Sequence, residues 1–178
     1  MKFDFTDADA TDLDIAYDLF LDPLFPESGM QICVAASGDK VVAVKRVRPS
    51  DLPRHWTFSP AKVSGLVSML KDFLTGENVH WDELSVQVCG TEMQRAVWQE
   101  LTKIPYGKTI SYAEMAKRAG HPAAVRAIGS ACGANPIPLI IPCHRVIASD
   151  GTLGGFAWGL PYKEKLLATE QRRQALAA

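Results

Sequence analysis

The stretch SYAEMAKRAGHPAAVRAIGSACGAN, residues 111–135, decides which fold the second half of this chain can adopt. Ser111 followed by Glu114 has the pattern of a capping box, in which the hydroxyl accepts from a backbone N–H and the carboxylate reaches back to the cap. The helix it opens is short and ends near Gly120. Pro122 suits the first turn of the next helix, and Pro136 must follow that helix rather than extend it. Two short helices joined by about three residues with a glycine match a helix-turn-helix, whose second helix reads DNA. That helix is built from small residues, Ala123, Ala124, Ala127, Gly129, Ala131 and Gly133, with one charge at Arg126. Little side-chain bulk allows close approach to a surface, but a tightly packed core helix would use the same residues. Spacing alone leaves both readings open.

Upstream, Thr91 and Gln94 make another capping box, and Met93, Ala96, Val97, Leu101 and Ile104 line one face of the helix that follows. Pro105-Tyr106-Gly107 ends it, and a domain boundary falls near Gly90. Before that boundary, QICVAASGDKVVAVKRV (31–47) reads as two strands around a Ser-Gly-Asp turn. In SPAKVSGLVSMLKDFLTGE (59–77), Val63, Leu66, Val67, Leu70, Phe73 and Leu74 form one helical face, with Gly76 at its end. DELSVQVCG (82–90) is a short alternating strand. The first 22 residues hold seven aspartates, expected as a solvated face or a partly ordered tail. Cys33 and Cys89 are expected as small buried hydrophobes. No catalytic grouping stands out in this α/β or α+β half.

Downstream, IPLIIPC (137–143) is too short for a helix and is broken by prolines, so it reads as a buried extended segment. Asp150-Gly151 is a two-residue hairpin signal, and a hairpin after a helix-turn-helix resembles a wing. Pro161 opens a last helix with Leu166 and Leu167 inward.

The whole chain sets bounds on these readings. At 178 residues it allows one large or two small domains. A hydrophobic content of 47% and a charged content of 22% fit an ordinary globular protein, with no apolar run of membrane-spanning length. The start, MKFDFTDADATDLD, lacks the layout of a signal peptide, which leads us to expect a cytoplasmic protein. The four cysteines are widely spaced, so free thiols are the default. The net charge of −1 hides a split. Residues 1–90 carry 14 acidic and 8 basic side chains, a balance of −6, and residues 91–178 carry 6 and 11, a balance of +5. The basic half can meet phosphate; chance placement of solvated charges is the plainer alternative.

IPCHRV (141–146) sets a cysteine beside a histidine. A thiolate attacks carbon well at neutral pH, and a histidine can take the thiol's proton. Successive strand residues face opposite ways, so contact between Cys143 and His144 needs a bend or a bridging water. An acid to hold the ring is required, and Glu170 on the last helix is the candidate. The plain alternatives are an inert buried thiol and a hydrogen-bonded core histidine. Cys132, His121 and His144 have no recognised metal spacing.

With GANP (133–136) before it and GTLGGFAWG (151–159) after it, IPCHRV resembles the active site of the O6-alkylguanine-DNA alkyltransferases. GTEMQRAVWQELTKIPYGKTISYAEMAKRAG (90–120) is similar to the same family's run into its helix-turn-helix. The likeness covers about residues 88–172. It implies a small N-terminal α/β, ribonuclease H-like domain over residues 1–88, with a supporting role. Residues 89–178 would then form a mostly helical, winged helix-turn-helix domain that binds DNA and accepts the alkyl group.

The implied activity is DNA repair by a single-turnover cysteine S-methyltransferase. It flips O6-methylguanine, or secondarily O4-methylthymine, out of double-stranded DNA bound through the minor groove, and transfers the alkyl group irreversibly to Cys143. His144 would deprotonate Cys143 through a water and Glu170 would orient His144. Arg126 would fill the gap left by the base, and Tyr112 would crowd the target phosphate. Ala124, Ala127 and Gly129 would face the groove. Asn135 would tie the helix-turn-helix to the active-site loop, and Val146, Phe156, Ala157 and Trp158 would wall the guanine pocket. Arg145 is read as structural. No cofactor, no metal, no membrane and a monomer are expected.

There are departures from the family. Phe156 stands where a tyrosine is frequent and lacks its hydroxyl donor, Met93 replaces a phenylalanine, and Trp158 replaces a glycine of some members and is expected to narrow the pocket entrance. Two other functions remain open on sequence: a non-catalytic lesion binder of the alkyltransferase-like type, which carries tryptophan at the cysteine position, and a cysteine hydrolase.

Overall fold

The hairpin read at residues 31–47 anchors the first unit. In the computed structural model, which describes residues 1–6 and 13–177, β3 (Gln31–Ser37) and β4 (Lys40–Val47) pair antiparallel around Gly38. The chain divides into two compact units, Met1–Cys89 and Gly90–Ala178. In the first, β1 (Lys2–Phe5), β2 (Ala16–Leu21), β5 (Thr57–Phe58) and β6 (Ser85–Val88) complete a six-stranded sheet of order β1-β6-β4-β3-β2-β5. The β2–β3–β4 meander is antiparallel, and the β4–β6, β6–β1 and β2–β5 pairs are parallel. Alternation shows in β6, where Val86 and Val88 are buried. Helix α1 (Pro60–Leu74) buries Val63, Val67, Leu70, Phe73 and Leu74, the stripe read from its period, while Leu66 is half-buried.

Two expectations for this unit change. Of the described aspartates in the acidic segment, Asp4 lies in β1 and pairs with Lys40, Asp18 lies in β2, and Asp14 and Asp22 lie outside the strands, with Asp22 fully buried; Asp7, Asp9 and Asp12 lie outside the described residues. Cys33 is buried, but Cys89 is exposed, because β6 ends at Val88 with its buried face already used.

The second unit contains α2 (Glu92–Leu101), β7 (Ile110–Ser111), α3 (Tyr112–Arg118), α4 (Val125–Gly133), β8 (Val146–Ile147) and α5 (Leu160–Ala177). At Thr91 both halves of the capping box form. At Ser111 only one does: its hydroxyl accepts from Glu114 N, while the Glu114 carboxylate accepts from Arg118 one turn on. Helix α4 starts at Val125, not at Pro122, because a turn closed by Ala124 N donating to His121 O (2.9 Å) occupies the preceding residues and leaves Ala124 non-helical. The apolar segment 137–143 is buried as expected but not extended. Ile141 N donates back to Ile137 O (2.9 Å), and Leu139 takes φ +77°, a cost of order 1 kcal/mol. At Asp150-Gly151 there is a turn, with Ala148 N donating to Thr152 O (2.8 Å), but no strand follows it. The strand before that turn, β8, pairs in parallel with β7 instead, so the expected hairpin wing is a turn and loop.

Trp98, which the apolar period of α2 did not single out, is the largest fully buried side chain of this unit, and its indole N–H donates to Ala131 O of α4 (2.9 Å). A single bond therefore satisfies its polar atom and fixes α2 on α4. Gly90 leaves room for the ring: a Cβ there would lie 2.7 Å from it.

Candidate active site

Cys143, His144 and Arg145 form one turn of 3-10 helix after Pro142, all three buried. This turn is the bend that strand geometry lacked. The β7–β8 pair binds it to the start of α3, with Ile110 opposite Val146 and Ser111 opposite Ile147. Asn135, just after α4, spans the gap from the other side. Its Nδ2 donates to Cys143 Sγ (3.2 Å) and to Ile141 O (2.7 Å), and its Oδ1 accepts from Ile137 N (3.0 Å). One amide thus fixes both the turn and the sulfur.

Helix α5 supplies the acid. Glu170 is buried and accepts from His144 Nε2 at 2.8 Å, so the structure brings the ring and the carboxylate together. Arg145 and the backbone N–H of Gly107 (2.8 Å) also donate to it. Gly107 has φ +72°, a left-handed conformation that favours glycine, and a Cβ there would also press on the Gln174 side chain. Burial works to raise the Glu170 carboxyl, but His144 and Arg145 more than offset it and hold it at about 2. His144 is pushed the other way: burial lowers it against the pull of Glu170, which leaves a neutral imidazole. Burial also raises the Cys143 thiol, opposed by the Asn135 hydrogen bond and the charge of Lys163, so at rest the sulfur is a thiol that needs a base.

A cavity of about 410 Å³ opens in front of the sulfur. Of the expected residues, Tyr112, Arg126, Gly129, Cys143, Phe156 and Ala157 line it, joined by Val125, Cys132, Gly133 and Gly155. Val146 is fully buried behind it, Asn135 reaches only the sulfur, and Trp158 is not in the lining. Trp158 instead packs edge-on against Tyr162 (5.1 Å) and Phe156 (6.1 Å), so it backs the pocket wall. Phe156 also meets the His144 ring edge-on at 6.4 Å. Ala124 caps α4, and Arg126 and Ala127 lie on its exposed face. Tyr112 passes between Gly129 of α4 and Gly154, where a Cβ would stand 2.7 Å from the ring.

Lys163 escaped the sequence reading. It is buried, and its ammonium donates to Val146 O (2.5 Å), Leu153 O (2.5 Å) and Gly155 O (3.1 Å), which holds the loop that forms one wall of the cavity. The signal was present as spacing, since Lys163, Leu166, Leu167 and Glu170 form one stripe of α5. Among the described residues no group of three or more His, Cys, Asp or Glu side chains is placed to hold a metal ion, and no helix is long and apolar enough to cross a membrane.

Comparison with known proteins places the chain among relatives of one kind. The model of the 6-O-methylguanine DNA methyltransferase DNA-binding domain matches residues 92–172. The methylated-DNA–protein-cysteine methyltransferase of Mycolicibacterium paratuberculosis is 45% identical over 117 residues, 66% of this chain and 70% of that one. The Salmonella typhimurium protein of the same name is 45% identical over 112 residues, 63% of this chain and 66% of that one. The crystal structure of Mycobacterium tuberculosis OGT in complex with DNA superposes with a TM-score of 0.78 at 36% identity, covering 89% of this chain and 94% of that one. The buried Cys-His-Glu line, the cavity before its sulfur and these relatives lead to one conclusion: the chain belongs to the 6-O-methylguanine DNA methyltransferase family.

Proposed function

We propose that the protein repairs O6-alkylguanine in DNA by moving the alkyl group onto Cys143, once per molecule. The observation that carries this reading is the placement of a buried thiol at a cavity of about 410 Å³, with an Asn135 amide on its sulfur and His144 held by Glu170. With Nε2 committed to Glu170, proton traffic with Cys143 runs through Nδ1 and a bridging water. The S–H proton passes to His144, the thiolate attacks the alkyl carbon, an S–C bond forms and the C–O6 bond breaks. The electron pair of that bond stays on guanine, which takes up the proton given by the thiol. A thioether is a poor leaving group, so the sulfur is not regenerated. Phe156 supplies no hydroxyl, and backbone N–H groups of the Gly155–Ala157 wall are the donors at hand for the departing oxygen.

The lesion reaches this cavity only outside the base stack, and a weakly paired base is the cheapest to extrude. Helices α3 and α4 serve as the helix-turn-helix. The exposed face of α4, with Ala127 and Arg126 beside Ala124 and Gly129, enters the minor groove, where Arg126 fills the vacated place and Tyr112 crowds the target phosphate. The minor groove's degenerate readout suits a protein that must act at any sequence. The first unit, with its antiparallel meander extended by parallel strands, is read as the ribonuclease H-like supporting domain, and the protein as a cytoplasmic monomer. Intact-protein mass spectrometry after mixing with an O6-methylguanine duplex tests the proposal. One methyl group on the Cys143 peptide, and none in Cys143→Ala, is expected. Binding without mass gain would indicate a lesion sensor, and repeated turnover a hydrolase.

A further inference from the structure

Arg145 lies outside the proton line from Cys143 to Glu170, yet it makes the densest set of contacts at the site. Its Nε lies 3.2 and 3.0 Å from the two Glu170 oxygens, and Nη2 lies 3.0 Å from Oε1. Nη1 donates to Ile104 O at 2.7 Å, just beyond the end of α2, and the guanidinium sits 5.6 Å from the Tyr106 ring. Oε1 of Glu170 is therefore shared between His144 Nε2 and Arg145, and Oε2 between Arg145 and Gly107 N.

Charge counting gives this sharing a chemical meaning. Among the groups that face His144 are Glu170 and Lys163 from α5, Arg145 from its own turn, and the uncharged Phe156 ring. One carboxylate already has a buried guanidinium as its counter-ion. Protonating His144 would add a second cation against the same carboxylate, in a place with little water. Without Arg145, Glu170 would have an unbalanced charge, and a protonated His144 would be its natural partner.

We propose that Arg145 is a positioning residue that occupies Glu170 so that His144 rests as a neutral base, able to take the Cys143 proton. This rests on the alkyl-transfer reading above and adds a determinant of its pH range. A fork that grips both carboxylate oxygens and a backbone carbonyl also sets the rotamer of Glu170, which a single-point lysine cannot do as well.

The test uses the full chain, with Arg145→Gln and Arg145→Lys. Single-turnover methyl transfer from an O6-methylguanine duplex is followed against pH, and the His144 imidazole is titrated by NMR without DNA. The wild-type ring is expected to be neutral at pH 7. In Arg145→Gln the His144 titration and the acid limb of the rate should move up together by about one pH unit, so that transfer on that limb slows about tenfold while the alkaline plateau stays within about threefold. Arg145→Lys should move both in the same direction by less. A charged His144 at pH 7 in the wild type would overturn the proposal with no variant needed. So would a lowered plateau with an unmoved limb, which marks a merely structural role. If the wild-type chain transfers no methyl group at any pH, the alkyl-transfer reading fails, while the NMR titration still decides whether Arg145 sets the charge of His144.

Discussion

The two units bury charge in different ways. In the first, the fully buried Asp22 meets Arg46 at 2.5 Å and also caps the backbone N–H of Leu24, which pins the turn between β2 and β3. The same unit has an apolar cluster of Ile15, Cys33, Ala35, Val42, Ala43 and Trp56. In the second, His144, Arg145, Lys163 and Glu170 are buried together beside a thiol. A buried pair that closes a turn can be replaced by apolar residues with little loss. A network with more charges than a fold needs, gathered at a cavity, points to chemistry.

The contrast can be broken most directly by comparing Glu170→Gln with Leu70→Ala. The first leaves Arg145 buried without its counter-ion and should cost about 3–5 kcal/mol at neutral pH. The second opens a hole under α1 and should cost about 2–5 kcal/mol. Their pH dependence should differ. The Glu170 carboxyl is lowered from 4.5 to about 2, so its stabilisation, on the order of 3 kcal/mol, is fully present above pH 4.5 and is lost as pH falls through about 2. Denaturant melts should show the Glu170→Gln deficit shrinking toward pH 2 and the Leu70→Ala deficit unchanged. Parallel curves would mean that the network contributes as an ordinary core does.

A smaller effect is expected at the surface proposed to face DNA. Arg126→Ala should slow repair of duplex DNA about tenfold more than reaction with the free modified base, if its task is to hold the gap open. Equal losses would assign it to the cavity alone. The smallest effect belongs to Thr91→Ala, which removes the hydroxyl that accepts from Gln94 N while keeping the backbone N–H that donates to Gln94, and should cost about 1 kcal/mol in thermal melts, with no change in transfer rate.

Local signals were legible in the sequence and long-range ones were not. The box at Thr91–Gln94 spans three residues and formed as written, and the 31–47 hairpin needed only its own turn. The start of α4 was misplaced because no side chain caps Ala124, so the His121–Ala124 turn chose the first helical residue. The hairpin at Asp150-Gly151 was predicted from its turn, but β8 found its partner in β7, some 36 residues earlier by register. At the site, Cys143, His144 and Glu170 are candidates from their residue types, and the resemblance to a specific motif gives them their expected roles. The partners of Arg145 and the burial of Lys163 depend on how α5 packs, which no local pattern states.

Lys163 has a consequence of its own. Its ammonium gathers three carbonyls of residues 146–155, the arrangement by which many proteins shape a loop around a bound cation. Here the ion is tethered to the chain it organises. It cannot be lost by dilution or extracted by a chelator, and it is replaced only by mutation. A protein that acts once has no later cycle in which to recover a lost component, and this one carries the counter-charge for its pocket loop as part of its own sequence.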